Sequence, residues 1–411
     1  MTAKGDFRHN HYVPEWYQRR FLPSGQGKYH YLDLKPDTVE RNGHRFTRHA
    51  LQHWGPASCF AQDDLYTVKA GSFLNTEIEQ FFFGKIDRNG KAAVEYFDAF
   101  THPSADDRAF YDLMTYMSVQ KLRTPKGLGW LAQAARSRHG NLAFMHLQAL
   151  QNMFCAIWAE CVWQIADATR SPVKFIISDH PVTIYNRGCF PGSVHCVGFN
   201  DPDIRQVASH TYFPLSPEKI LILTNLAWVR NPYQSELKFR PNPNFFRNAM
   251  FKYTDIQLHR SLSEQEVLEI NYTTKRRAFR YIAGAQREWL YPEGRLKSTH
   301  WCKFGGGYLL MPEPRDINMG GQIYIGYEDG RHDAFGEYGH KPWERGFEDK
   351  ERGREESRTL ERFKAEFAVM QGPAWRGTSG QFGYKGPHVD SDEFHRHYLR
   401  KASQYRKRNK A

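Results

Sequence analysis

The chain lacks the long apolar runs that membrane proteins need. No stretch of about 18 consecutive apolar residues occurs, and a transmembrane helix requires about 20 such residues. The segment 1–6 also lacks the apolar core of a secretion signal. We therefore expect a cytoplasmic protein with no membrane partner.

Cysteine is scarce and carries no recognisable pattern. A zinc site or a redox dithiol usually contains a Cys-x-x-Cys pair, and this chain has none. A chain of 411 residues also needs no disulfide framework. We expect buried, reduced thiols at the six positions, which are Cys59, Cys155, Cys161, Cys189, Cys196 and Cys302.

Acidic residues are too few to balance the basic ones. The chain has 57 lysines and arginines against 45 aspartates and glutamates, a formal net charge of +12. A basic surface concentrates polyanions near it, and nucleic acid is the commonest such partner. The charge therefore predicts nucleic acid or another polyanion as a partner. It indicates no chemistry, and the oligomeric state stays open.

The chain has enough apolar residues for a sizeable core, with 40% hydrophobic and 15% aromatic residues. Segments with helical spacing of apolar residues are interspersed with shorter extended stretches that end in turn residues. This pattern predicts an α+β fold in which long helices pack around a small mixed sheet. The predicted helices cover 77–87, a stretch to Phe100 after a break at Asn89-Gly90, a helix from about 104 to Thr124, 143–168 and 264–283. The predicted strands cover 29–34, 173–181, 211–215 and 219–224.

The composition changes after about residue 296. Glycine and charged residues become frequent there, and residues 400–410 carry six cations and no acid. We predict one helix-rich α+β domain over 9–290. Residues 296–411 are predicted to be a glycine-rich, charged C-terminal extension that is partly ordered and basic at its end.

A series of short motifs is spread over residues 9–285. Its members are His11-Tyr12-Val13-Pro14, Asp64-Leu65-Tyr66, the predicted helix with Glu79 and Asp87, residues 120–125, residues 175–181, residues 212–217 and Asn271. Together they resemble a bacterial family of unknown function, recognised by an N-terminal His-Tyr-Val-Pro-x-x-Tyr signature and a Ser-Asp-x-Pro motif at a strand end. The chain departs from the family at two positions. The family usually has leucine at the position of Gln18 and often has glutamate at the position of Asp87. The family brings no established activity, so the resemblance implies a fold and not a reaction.

Four charged residues are the candidate catalytic residues: His11, Glu79, Arg123 and Asp179. His11 is a candidate general base or metal ligand, because histidine titrates near neutral pH. Arg123 offers a guanidinium fork that suits phosphate. Asp179 follows a buried strand and could orient His11 or bind a cation. Glu79 shares one side of a predicted helix with Asp87, too far along the axis for both to bind one metal.

Four further residues are candidates for contacting substrate: Tyr12, Tyr17, Gln120 and Ser178. Each group has a structural alternative. The aromatic residues near the N-terminus could form a docked lid. Gln120 shares a helix face with Arg123, which needs a partner such as Glu79, Asp179 or a bound anion if it is buried. Asp179 could instead cap the turn before Pro181.

A histidine, an arginine and carboxylates in a basic protein predict an enzyme that cleaves phosphodiester bonds, a nuclease-like hydrolase acting on nucleic acid. A divalent cation could take part, but no metal or cofactor is identified. Two alternatives stay open. One is a non-catalytic module that binds nucleic acid or protein, and the other is an enzyme on a small anionic metabolite such as a nucleotide.

Overall fold

The computed structural model describes the greater part of the chain between residues 9 and 347. Glu79, most of the predicted helix over 77–87 and the basic C-terminal end lie outside the described residues. The described residues are 9–41, 44–66, 68–70, 73–75, 83–101, 106–134, 147, 150–204, 206, 209–225, 256–309, 322–326, 329–336, 340–345 and 347.

Helices and strands both contribute to the described part, which confirms the α+β class. No helix in these residues is long and apolar enough to cross a membrane. The helices are α1 (Glu15–Arg19), α2 (Gly84–Asp98), α3 (Asp107–Arg123), α4 (Pro125–Ala134), α5 (Cys155–Glu160) and α6 (Glu264–Arg277). The strands are β1 (His9–His11), β2 (Tyr29–Asp33), β3 (Thr38–Arg41), β4 (His44–Thr47), β5 (Leu51–Trp54), β6 (Ala61–Asp63), β7 (Val68–Ala70), β8 (Phe73–Asn75), β9 (Val162–Asp167), β10 (Ile177–Ser178), β11 (Thr183–Asn186), β12 (Ser209–Pro214), β13 (Lys219–Thr224), β14 (Gln257–Ser261), β15 (Tyr281–Gly284), β16 (Gln322–Gly326) and β17 (His332–Gly336).

Two sheets form the centre of the described fold. The larger has the order β11-β12-β13-β9-β14 and is antiparallel except for the parallel pair β9–β14. The smaller is antiparallel, with the order β10-β15-β2-β5. The remaining described strands form the two-stranded pairs β1–β6, β3–β4, β7–β8 and β16–β17. The larger sheet is thus the mixed sheet that the sequence predicts.

The five-stranded sheet separates two apolar layers. Successive strand residues point to opposite faces, so Trp163 of β9 belongs to one layer and Ala166 to the other. The Trp163 ring lies 4.9 Å from that of Phe110 on α3 and 5.8 Å from that of Phe97 on α2. On the opposite face, α6 contributes Leu268 to the second layer. Both faces are therefore covered, and the central strands are buried along their length.

The helix predicted over 143–168 is wrong for its C-terminal part. Residues Val162–Asp167 form β9, near the middle of the larger sheet, and only Cys155–Glu160 are helical among its later residues. A strand covered on both faces is apolar at nearly every position. Such a run cannot be distinguished from a buried helix by its periodicity. Residues 143–146, 148 and 149 lie outside the described residues.

The break predicted at Asn89-Gly90 is also wrong, because α2 continues through it. Gly90 faces α3. A Cβ atom added at Gly90 would lie 2.5 Å from atoms of the Tyr116 ring. The glycine therefore allows two helices to approach closely and makes no turn.

Thr124 ends α3, as predicted, and also begins α4. Its backbone is extended, with φ −70° and ψ 159°, as expected before a proline. Pro125 is the first residue of α4, a position that suits proline. The Thr124 Oγ1 accepts a hydrogen bond from the N–H of Gly127 at 3.1 Å, which is an N-cap. The two helices are thus joined without a loop.

Helix α6 begins at the predicted place and ends earlier than predicted. Ser263 and Glu266 form a capping box at its start. The last helical residue is Arg277, and Tyr281–Gly284 form β15, so the predicted end at Ala283 is wrong. The Asp179 carboxylate binds the backbone N–H groups of residues 279–281, which directs the chain into the smaller sheet.

Residues 301–309 pack against the second apolar layer. The Tyr185 hydroxyl donates to the carbonyl oxygen of Trp301 at 2.9 Å, and the Trp301 indole N–H donates to the carbonyl oxygen of Asn186 at 2.8 Å. Phe304 and Tyr308 are buried beside them. The predicted domain boundary near residues 290–296 stays a prediction.

We expect Gly90→Ala to lower the free energy of unfolding by about 1–3 kcal/mol, because the new methyl group overlaps the Tyr116 ring. At a solvent-facing helix position the same change would raise stability by up to about 1 kcal/mol. Urea denaturation measures the sign of this change in the free energy of unfolding. Lys91→Ala, which alters an exposed side chain one position away, is the control. An equally stable or more stable Gly90→Ala protein would contradict the packing.

Candidate functional site

Arg123 lies in the interior, where its guanidinium group forms an ion pair. It is 1% exposed and pairs with Asp87, with Nη1 3.0 Å from Oδ2 and Nη2 2.8 Å from Oδ1. The rings of Phe83 and Tyr116 lie 5.3 and 5.8 Å from the guanidinium carbon. The partner acid is thus Asp87, where the sequence suggested Glu79 or Asp179.

Gln120 connects Arg123 to the N-terminal segment. Its Oε1 accepts a hydrogen bond from Arg123 Nε at 2.7 Å, and its Nε2 donates to the carbonyl oxygen of Tyr12 at 2.8 Å. All three residues are buried. The structure therefore gives Gln120 a bridging contact, and its predicted contact with substrate stays a prediction.

Asp179 holds the entry to β15. Its Oδ1 accepts the N–H of Phe279 at 2.8 Å, and its Oδ2 accepts the N–H groups of Arg280 at 2.6 Å and Tyr281 at 2.8 Å. Burial raises the pKa of Asp179 to about 6, against the effect of these three N–H groups. Ser178 is buried beside it, and its Oγ accepts the N–H of His180 at 3.2 Å. Both carboxylate oxygens of Asp179 are thus bound to backbone.

The N-terminal signature packs against the described fold, as expected from the structural alternative for its aromatic residues. His11 is partly buried, with Nε2 3.2 Å from the carbonyl oxygen of Pro56, and burial lowers the pKa of His11. The Tyr17 hydroxyl donates to the carbonyl oxygen of Pro214 at 2.6 Å. Tyr12 is 2% exposed, and burial raises its pKa well above the ordinary value. No described contact joins His11 to Asp179 or Arg123, and Glu79 lies outside the described residues.

A different set of buried polar groups meets around one carboxylate. Asp201 Oδ1 lies 2.5 Å from Lys126 Nζ, and Asp201 Oδ2 lies 2.6 Å from Lys121 Nζ and 2.9 Å from His180 Nε2. The four side chains are 2–9% exposed. We call Lys121, Lys126, His180 and Asp201 the Asp201 cluster. It brings two ammonium groups and an imidazole onto a single acid.

Four separate elements position the Asp201 cluster. Lys121 stands in the last turn of α3, and Lys126 follows in the first turn of α4. His180 comes directly after the strand end held by Asp179, and Asp201 lies in an irregular segment before β12. The direct junction of α3 and α4 at Thr124 allows both lysines to reach the same carboxylate.

The hydrogen bonds assign a tautomer to His180. Two groups lie near Nε2: Asp201 Oδ2 at 2.9 Å and Lys121 Nζ at 3.2 Å. A carboxylate only accepts, and it is the nearer of the two, so we assign the proton to Nε2. Nδ1 lies 2.8 Å from Thr124 Oγ1 and then accepts from that hydroxyl. Burial, together with the charge of Lys121, lowers the pKa of His180 to about 4. The imidazole is therefore neutral at pH 7.

The charges in the Asp201 cluster are unequal. Burial opposes ionisation of Asp201, but Lys121, Lys126 and His180 outweigh it and hold its pKa well below the ordinary value. Burial also lowers the pKa of Lys121, against the attraction of Asp201. Arg277, whose charge lowers the Lys121 pKa, lies close by. Two ammonium groups thus contact the one carboxylate of the cluster.

Two of the sequence motifs contain members of the Asp201 cluster. The site residues predicted from those motifs are not the cluster members themselves but residues close to them in sequence. Within 120–125 the predicted site residues are Gln120 and Arg123, whereas Lys121 reaches the cluster. Within 175–181 the predicted site residues are Ser178 and Asp179, whereas the next residue, His180, reaches the cluster. No local pattern marks Asp201, and a helical wheel that separates the two faces of α3 is the only sequence signal that would have pointed to Lys121.

No described set of side chains suits a metal ion. Among the described residues, no three or more histidine, cysteine, aspartate or glutamate side chains lie close enough together to hold one. The described part of the chain therefore identifies no ligand set for the divalent cation that the sequence left open.

The comparison with known families covers a central part of the chain. Residues 143–288 match a family described as a protein of unknown function, DUF4238. The resemblance to a family of unknown function is confirmed over these residues. The N-terminal signature and Lys121 lie outside the match, whereas His180 and Asp201 lie inside it. No curated protein and no solved structure matches the chain.

We expect Asp87→Asn to destabilise the protein by about 3–5 kcal/mol, because it leaves Arg123 buried without its counter-charge. Arg123→Met combined with Asp87→Leu removes both charges and should recover much of the loss. Urea denaturation of the single and double variants measures this difference. A single variant as stable as the native protein would show that Arg123 has another partner, such as a bound anion.

We expect the protein to lose about 3 kcal/mol of stability through His180 as the pH falls from 6.5 to about 4. The unfolded chain binds this proton near pH 6.5, whereas the folded chain binds it only near pH 4, so acid favours unfolding. His180→Gln should remove this part of the acid dependence, measured by urea denaturation at several pH values. His195→Gln, at an exposed position, is the control, and equal slopes for both variants would contradict the assignment.

Proposed function

We propose that this chain is a nuclease-like enzyme that acts on the phosphodiester bonds of nucleic acid, with the Asp201 cluster as the place where a phosphate group binds. One observation supports this most. Lys121, Lys126 and His180 direct three donors at a single carboxylate within 2.9 Å. Phosphate oxygens accept the same charge-assisted hydrogen bonds as carboxylate oxygens.

The surplus of positive charge supports an anionic substrate. Lys121 and Lys126 both pair with Asp201, the single carboxylate of the cluster, and a buried charge is costly unless it is compensated. A phosphate group would compensate more of this charge than Asp201 does. The net charge of +12 would in addition raise the local concentration of nucleic acid.

The chain offers a role for each group. Lys121 and Lys126 would neutralise the charge that develops on the phosphate in the transition state. His180, with its proton on Nε2, would supply a third hydrogen-bond donor. His11 stays the proposed general base or metal ligand, and its lowered pKa keeps it in the neutral form that a base needs. Glu79 and a divalent cation stay part of the proposal without a described position.

A second candidate is an enzyme on a small anionic metabolite such as a nucleotide. The side chains of Lys121, Lys126 and Asp201 are only 8–9% exposed. An enclosed site of this kind suits a small ligand at least as well as a polymer. Nucleotide that stays bound through purification, identified by mass spectrometry of the denatured protein, would favour this candidate.

We expect the purified protein to cut DNA or RNA in the presence of Mg²⁺ or Mn²⁺, and Lys121→Met or Lys126→Met to reduce the rate by about 100-fold. Gel assays on labelled single- and double-stranded oligonucleotides measure this. Lys91→Met, which removes one exposed cation, controls for net charge and should change the rate by less than about twofold.

Two results would contradict the proposal. One is a folded native protein that leaves both nucleic acids uncut under these conditions. The other is cleavage that persists unchanged in both lysine variants, which would move the site away from the Asp201 cluster. Far-ultraviolet circular dichroism of each variant separates loss of activity from loss of folding.

A further inference from the structure

Residues 190–202 form a surface segment whose polar contacts with the rest of the described chain come from Asp201 and from the Cys196 thiol, which donates to the nearby carbonyl oxygen of Cys189. Within the segment, the N–H groups of Ser193, Cys196 and Asn200 donate to carbonyl oxygens three residues earlier. The hydrogen bonds and ion pairs that reach other described elements come from the Asp201 carboxylate. We call residues 190–202 the lid segment.

Apolar contacts hold the lid segment at one further point. The Phe199 ring stacks on that of Phe279 at 5.6 Å, and it lies against Gly129 of α4, where an added Cβ would be 2.5 Å away. Val194 and Val197 are 81% and 59% exposed, so they contribute little burial. The Phe199 ring and the Asp201 carboxylate thus fasten the lid segment, in which Ser193 and Pro202 are also buried.

The Asp201 carboxylate has the contacts that a bound oxyanion would have. Lys121 and Lys126 each approach one of its oxygens, and His180 approaches the oxygen that Lys121 also contacts. Of the four cluster members, Asp201 alone belongs to the lid segment. The other three stand on α3, on α4 and two residues after β10. The donors therefore belong to the body of the fold and the acceptor to the segment with few attachments.

We propose that Asp201 is an internal stand-in for the anionic ligand, and that a phosphate group binds Lys121, Lys126 and His180 by displacing Asp201 together with the lid segment. This inference rests on the proposed function, since it takes the phosphate site to be the Asp201 cluster. It adds that the described arrangement is the closed, self-inhibited one. Binding exchanges one set of charge-assisted hydrogen bonds for another and releases the lid segment.

Displacement predicts a specific effect on affinity. When an internal group occupies the site, only the molecules in which the site is open can bind the ligand. The apparent dissociation constant is then the intrinsic constant divided by the open fraction. Asp201→Asn keeps the size of the side chain and removes its charge. We expect this variant to bind inorganic pyrophosphate at least about tenfold more tightly than the native protein, measured by isothermal titration calorimetry.

Asp203→Asn is the matched control, because it removes the same charge two residues away. It should change the pyrophosphate affinity by less than about twofold. Phe199→Ala loosens the lid segment without changing any charge, and we expect a smaller gain of the same sign. Thermal unfolding of each variant shows whether it folds.

A measurement on the native protein tests the same idea without a variant. Hydrogen exchange of the lid segment, followed by mass spectrometry, should become faster when pyrophosphate is added. A peptide from α6 serves as the internal reference and should not change. This experiment decides the question even if Asp201→Asn fails to fold.

The outcomes separate the two proposals. If Lys121→Met abolishes pyrophosphate binding while Asp201→Asn leaves it unchanged and the lid segment stays protected, the phosphate site stands and the stand-in is wrong. If neither the native protein nor Asp201→Asn binds pyrophosphate, the phosphate site itself is wrong, and the stand-in falls with it. Binding by Asp201→Asn that exceeds native binding, with faster exchange in the lid segment, supports both.

Discussion

The buried carboxylate of Asp201 ties three separate elements of the fold to one irregular segment. It binds Lys121 at the end of α3, Lys126 at the start of α4 and His180 after β10. Lys126 also donates to the carbonyl oxygen of Arg277 at 2.7 Å, at the end of α6. Because buried charges are stable only when they are paired, these elements depend on one another at this point. Helices α3, α4 and α6 and the segment after β10 meet here.

Two short motifs contain adjacent residues that contact different parts of the fold. In 120–125, Gln120 and Arg123 face the N-terminal segment and α2, whereas Lys121 faces the Asp201 cluster. One helical step of about 100° separates the two directions. In 175–181, Asp179 binds the backbone entering β15, and the next residue, His180, points to the cluster. Adjacent residues therefore contact different parts of the fold.

Parts of the fold could be predicted because their causes are local. The strands β12 and β13, the end of α3 at Thr124 and the start of α6 follow from patterns within a few residues, such as a proline or a capping box. The prediction failed at β9, where a strand buried on both faces has no period of its own. It also failed at Gly90. This glycine is explained by its close contact with Tyr116 on another helix and not by its neighbours in sequence.

The sequence alone was sufficient for the fold class and for the resemblance to a family of unknown function, which is confirmed over residues 143–288. It did not predict that Lys121, Lys126 and His180 meet at Asp201. Which polar side chains meet depends on packing between distant segments, and Lys121 and Asp201 are 80 residues apart. A charge that is removed from water is stable only beside an opposite charge. The partner of a buried charged side chain is therefore set by which segments pack together. Tertiary structure therefore assembled the Asp201 cluster from residues with no common local pattern.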